Sequence, residues 1–197
     1  MVDLVMSKFT KDYMITMKDI VKEGAPILRK VVDEVQMPPT EEDKEELMCM
    51  LQFLKNSQNP EIAKKHHLRA GVGLSANQIG LNKQMFAVYI QSEQEELAYT
   101  LFNPKIVSHS VSMTYLPSGE GCLSVEREVP GYVPRYERIK VKAFDINGEE
   151  VVIRLKGYTA IVFQHEMDHL NGIMFYDHIN KENPFKLPEN TDIQSLY

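Results

Sequence analysis

The spacing of apolar residues changes twice along the chain. In MPPTEEDKEELMCMLQFLKN, Met37 to Asn56, the leucines Leu47, Leu51 and Leu54 recur on one helical face. Two prolines precede that pattern, Thr40 is placed as its N-cap, and acids fill the first turn, where free N–H groups and the positive end of the dipole favour them. After Asn59-Pro60 a charged segment, EIAKKHHLRA, leads into the glycine-rich loop GVGLSANQIG. From Lys83 the period shortens. QMFAVYI, TLFNPKIV and ERIKVKAFDINGEEVVIRLKG are rich in β-branched and aromatic residues, and the last predicts a hairpin with Asn147-Gly148 at its turn. TAIVFQHEMDHLNG then returns to helical spacing, with Phe163, Met167 and Leu170 at i, i+4 and i+7 and Gly172 as the C-terminal stop. The tail NKENPFKLPENTDIQSLY predicts irregular structure. No repeat or linker divides the pattern, so residues 1–197 are expected to form one α+β domain.

Composition narrows this only a little. Hydrophobic residues make up 43% and charged residues 25%, an ordinary globular balance. The formal net charge of −6 argues against direct binding to nucleic acid. The N-terminal stretch MVDLVMSKFTKDYMITMKDI has no apolar run long enough for a signal peptide or a membrane span, so membrane binding is not expected either. Two cysteines, Cys49 and Cys122, cannot form a disulfide framework, and a reduced, cytoplasmic setting follows. Cys49 lies inside the first helical pattern and reads as a buried small hydrophobe. His66 and His67, next to two lysines, read as solvated surface residues.

The candidate chemistry centres on QHEMDHLNG, Gln164 to Gly172. Residues four apart on a helix lie about 40° from each other, so His165 and His169 can face one ion. Glu166, rotated by about 100° from His165, can reach a water on that ion without ligating it. A catalytic metal needs three protein ligands and an open position. Downstream, Asp177 and His178 come soon after the helix stop and fit poorly. Upstream, SGEGCLSVE places Cys122 at an expected strand edge, and a thiolate with two imidazoles would favour a divalent transition metal. An ordinary packed thiol is the alternative. In GVGLSANQIG, Gly71 and Gly73 allow close backbone approach, and the Gln78 amide could donate to a developing oxyanion.

In this order, GVGLSANQ, EGCLS and QHEMDH resemble the three motifs of the peptide deformylase family. The likeness runs through VPGYVPR and RLKGYTAIV, from about Leu68 to Asp177, and the helical stretch before the first motif is similar to the longer, Gram-positive-type (type 2) branch. The resemblance implies mixed or antiparallel sheets packed around a central metal-binding HExxH helix. It implies hydrolysis of the formyl group from the N-terminal formylmethionine of nascent polypeptides, with release of formate. Cys122, His165 and His169 would be the metal ligands and Glu166 the acid/base. Gln78 and the backbone N–H of Leu123 would bind the oxyanion. Val72 and Gly73 would hold the extended peptide, and Arg135, Tyr158, Ile161 and Val162 would line the methionine pocket. It further implies one Fe2+ per chain, replaceable by Zn2+, Ni2+ or Co2+, a monomer, and work near the ribosome exit tunnel. Two positions depart from the family pattern: Ser75 stands where alanine is usual and Asn77 where proline is common.

Two other readings use the same helix. A zincin-type metallopeptidase would cleave internal peptide bonds and be indifferent to Cys122. A structural metal site would need a fourth protein ligand and no role for Glu166.

Overall fold

The computed structural model describes residues 7–92 and 95–197, so the first six residues of the N-terminal stretch lie outside the described residues. Helix α1 (Glu41–Gln58) starts at the Thr40 cap through a reciprocal pair of bonds. Thr40 Oγ1 accepts from the Asp43 N–H at 3.1 Å, and the Asp43 carboxylate accepts from the Thr40 N–H at 2.9 Å. Asn59-Pro60, expected to open a charged connection, begins a second helix, α2 (Pro60–His66). The Asn59 side chain accepts from the N–H groups of Glu61 and Ile62, and proline occupies the first position, where no N–H is needed.

The strands follow as β1 (Gly73–Ser75), β2 (Met85–Gln91), β3 (Glu96–His109), β4 (Met113–Tyr115), β5 (Arg135–Tyr136), β6 (Arg138–Phe144) and β7 (Glu150–Lys156). Helix α3 (Gly157–Leu170) comes next, and β8 (Ile193–Ser195) lies near the C-terminus. The main sheet, ordered β1-β2-β3-β6-β7, is antiparallel throughout. A small sheet ordered β5-β4-β8 is mixed, because β8 runs parallel to β4. The β6–β7 hairpin closes as expected through Asn147-Gly148. The Asp145 carboxylate holds the turn by accepting from the N–H groups of Asn147 and Glu149, both at 2.9 Å.

Three expectations change. GVGLSANQIG is not wholly loop: it forms β1 and a 3-10 turn over Ala76–Ile79. The tail is not wholly irregular, since its Ile193–Ser195 pairs as β8. Cys122 lies at no strand edge but in the irregular stretch 116–134.

Strand β2 is buried on both faces, and its alternation decides the layers. Met85, Ala87 and Tyr89 pack with Leu47, Met50 and Leu54 of α1. Phe86 and Val88 pack with Val162, Phe163 and Met167 of α3. The main sheet therefore has α1 on one face and the helix with both histidines on the other. Among the described residues no helix is long and apolar enough to cross a membrane.

Candidate metal centre

Helix α3 is fixed at its middle and at its C-terminus. Gln164 accepts from the Tyr136 N–H and donates to the Tyr136 carbonyl, each at 2.9 Å, tying the helix to β5. At the C-terminus Gly172 has φ 72°, its N–H bonds His169 O, and the Ile173 N–H bonds Asp168 O. This left-handed reversal satisfies the last carbonyls, and a Cβ at Gly172 would lie 2.6 Å from Arg29 O, so glycine is required on both counts.

Cys122 is carried to the helix by a loop that makes few ladder bonds of its own. The Arg69 guanidinium supports it, donating to the carbonyls of Cys122, Leu123 and Val125 at 3.3–3.4 Å. The result brings Cys122, His165 and His169 together: one donor atom from each lies within 4.8 Å of the others, and all three are buried in the metal-ligand grouping. Cys122 Sγ is 3.3 Å from His169 Nε2. His165 Nδ1 meets Glu120 Oε2 at 2.8 Å, which orients its ring and leaves Nε2 for the cluster. Burial, together with the neighbouring charges of His165 and Arg135, pushes His169 well below the ordinary imidazole range, so it is neutral and ready to ligate. Burial also works to lower His165, but hydrogen bonds to Cys122 and Glu120 outweigh it and hold that ring well above its ordinary value. An ion bound here would therefore displace a proton. A thiolate and two imidazoles suit a divalent transition metal and not magnesium or calcium.

Glu120 is itself buried and gripped by a cation. Arg135 donates to it through Nε at 2.8 Å and Nη2 at 2.9 Å, and through Nη1 to Asp168. Burial opposes ionisation of Glu120, yet the Arg135 charge and these bonds bring its carboxyl down to about 2.

Opposite the ligands, β1 and its 3-10 turn supply the remaining groups. The Ser75 N–H donates to Gln78 Oε1 at 2.9 Å, which aims the other end of that amide at the metal ligands. Gln78 Nε2 then reaches Cys122 Sγ at 3.4 Å and Ser124 Oγ at 3.1 Å. Ser75 Oγ donates to Glu166 Oε2 at 2.6 Å and also contacts the Glu166 carbonyl at 2.9 Å. Asn77 Nδ2 donates to His169 O at 2.5 Å. Both departures from the family pattern thus bond to the helix that carries the histidines. Glu166 is buried, which raises its carboxyl above the usual range against the pull of His165 and Ser75. Gly73 packs so closely on it that an added Cβ would lie 2.3 Å from Glu166 Oε1.

These groups open onto a cleft of about 590 Å³ whose walls include Val72, Gly73, Leu123, Tyr158, Ile161 and Val162. Arg135 is not among its lining residues; it sits behind the wall, 3% exposed, as the counter-ion of Glu120. Asp177 and His178 are engaged elsewhere, with Arg29 and Asp168 respectively. Cys49 bonds Tyr13 O, and burial raises its thiol to about 11, in keeping with a packing role. Sequence reasoning missed Glu120, whose position in the EGCLS stretch was the available signal. It also missed Arg69 and Tyr197, which line the cleft, and for these no local pattern exists.

The family model described as polypeptide deformylase matches residues 17–185. A relative named peptide deformylase 2 from Bacillus anthracis is 63% identical over 179 residues, covering 90% of this chain and 97% of the relative. The Bacillus subtilis peptide deformylase 2 is 61% identical over 178 residues, with 90% and 97% coverage. Among solved structures, the Thermus thermophilus peptide deformylase aligns with a TM-score of 0.68 at 34% identity, covering 83% of this chain and 86% of that one. The peptide deformylase 1B of Arabidopsis thaliana, in complex with an inhibitor, gives 0.68 at 32% identity, with 83% and 82% coverage.

Proposed function

The chain belongs to the polypeptide deformylase family and removes the N-formyl group of nascent polypeptides, and we propose that it does so with Cys122, His165 and His169 holding one metal ion and Glu166 as acid/base. The observation that carries the assignment is the buried convergence of these three donors with the Glu166 carboxylate on the adjoining face of α3. The zincin-type peptidase is not favoured: Cys122, to which that reading is indifferent, stands among the donors, and its downstream candidates are occupied elsewhere. A structural site is disfavoured because, among the described residues, the grouping has three donors and not four.

An ion in this position would supply Lewis-acid activation of water at neutral pH. Glu166 takes the proton of that water and returns it to the departing amine. Its raised carboxyl suits both directions of transfer. Gln78 Nε2 and the Leu123 N–H donate to the oxygen that gains charge as the formyl carbon becomes tetrahedral, where one such donor is typically worth about 3 kcal/mol. Val72 and Gly73 offer backbone to an extended peptide along β1, and Tyr158, Ile161 and Val162 receive the methionine side chain. Arg135 acts through Glu120, which it holds from behind the residues that line the cleft.

The metal is Fe2+, one per chain, in this reading, and Zn2+, Ni2+ or Co2+ can replace it, since affinity alone favours the later metals. A ferrous ion beside a thiolate makes the activity sensitive to aeration through oxidation of Cys122. The enzyme forms one catalytic domain over residues 1–197, works as a cytoplasmic monomer and meets its formylmethionyl substrates near the ribosome exit tunnel. The test is formate release from formyl-Met-Ala-Ser by anaerobically purified protein, wild type and Glu166→Ala. Release by the wild type, and its loss in a variant that still binds metal, supports the assignment; equal release by both overturns the role of Glu166.

A further inference from the structure

The acidic chain hides a basic face. Helix α1 covers its side of the main sheet at β1, β2 and the Phe102 end of β3, with Phe144 of β6 packed at its margin, and the cationic side chains beyond that margin on β3, β6 and β7 face solvent. There the cations stand directly opposite one another across the strands: Lys105 with Lys142, Lys140 with Arg154, and Arg138 with Lys156. Like charges so placed are unfavourable to the sheet. Three of the six are balanced, Lys105 by Glu34 at 2.7 Å, Lys142 by Glu150 at 2.7 Å and Arg138 loosely by Glu137 at 3.8 Å. Among the described residues, no carboxylate pairs with Lys140, Arg154 or Lys156. They line a shallow groove together with residues 108–110 at the end of β3, where Ser110 Oγ already bonds Ser112 O and the His109 ring stacks on Tyr136.

We propose that this face docks the enzyme on RNA through its phosphate backbone. Cations at alternate strand positions lie roughly 6.8 Å apart, on strands about 4.8 Å apart, forming a flat lattice of positive charge. Such a lattice reads no bases and suits a run of phosphates. The partner follows from the activity, because nascent chains emerge from a particle whose surface is rich in RNA; in that respect the inference rests on the deformylase reading. Orientation agrees with it. The opposite side chains of these strands, Ile139, Val141 and Leu155, pack with α3, so the basic face points away from the metal centre and docking leaves the cleft open.

The experiment uses the full chain and a fluorescein-labelled RNA duplex of about 20 base pairs, followed by anisotropy between 50 and 200 mM salt. Three uncompensated cations predict binding that weakens about 40-fold across that range. Lys140→Glu/Arg154→Glu/Lys156→Glu abolishes binding. Lys11→Glu/Lys18→Glu/Lys181→Glu, with the same change in net charge at exposed positions off this face, retains it. Both variants deformylate free formyl-Met-Ala-Ser at the wild-type rate, which shows them folded and separates this proposal from the catalytic one. Absence of binding at 50 mM salt, equal loss in the two variants, or binding to phosphatidylglycerol vesicles in place of RNA overturns it.

Discussion

Replacing Glu120 by glutamine keeps the volume of the side chain and removes its charge from between Arg135 and His165. The cost can be worked from the structure. The carboxyl is 4% exposed, so solvent screens it little, and it is brought from an ordinary 4.5 to about 2 by Arg135 and His165 against the opposing effect of burial. Each unit of such a shift is about 1.36 kcal/mol, which gives roughly 3.4 kcal/mol of stability at pH 7. Breaking a buried ion pair typically costs about 3–5 kcal/mol, a consistent figure. The sign is that of a depressed acid: the contribution is complete above the unfolded value near 4.5 and is lost as pH falls towards 2. At pH 3 it should have shrunk to about 1.4 kcal/mol. Urea denaturation of wild type and Glu120→Gln at pH 7, 4 and 3 measures it directly. With the carboxylate gone from His165 Nδ1, metal affinity should also fall by about 10–100-fold, read by competition with a chromogenic chelator. A stability difference below about 1 kcal/mol at pH 7, or one that does not change with pH, would refute the reasoning.

The neighbouring groups make further predictions. Ser75→Ala removes the 2.6 Å bond to Glu166 and, if the carboxylate then loses its aim, lowers kcat about tenfold with KM unchanged. Because Ser75 pulls the Glu166 carboxyl down, the same variant should move the acid limb of the kcat profile to higher pH; a shift the other way sinks the idea. Gly73→Ala places a Cβ against Glu166 Oε1 and should cost at least about 100-fold in kcat/KM, checked on protein whose melting temperature is intact. Stripping the metal with a chelator should lower Tm by roughly 8–16 °C relative to protein held at 1,000 times Kd; an unchanged Tm would mean that no ion binds the folded site.

What could be read without coordinates was local. The bonds of the Thr40 cap and the Gly172 stop join groups within five residues of each other, and His165, Glu166 and His169 share a helix whose period alone puts both rings on one side. The same holds for the β6–β7 hairpin and for the helix signal in Asn59-Pro60, which was present though read only as a connection. The three motifs pointed to the ligands by resemblance, but periodicity left Cys122 equally open to a packing role. That choice belongs to the tertiary structure, which sets its sulfur beside a histidine 47 residues away. Packing likewise turned Arg135 from a pocket residue into the counter-ion of Glu120, and joined Ser75 to Glu166 across 91 residues. It also laid the cations of β3, β6 and β7 side by side beyond the margin of α1 while the net charge read acidic. Caps, turns and periodicity follow from bonds that close within a few residues. Which distant side chains meet depends on how the whole sheet and its two helices bury their apolar faces, and only the folded chain decides that.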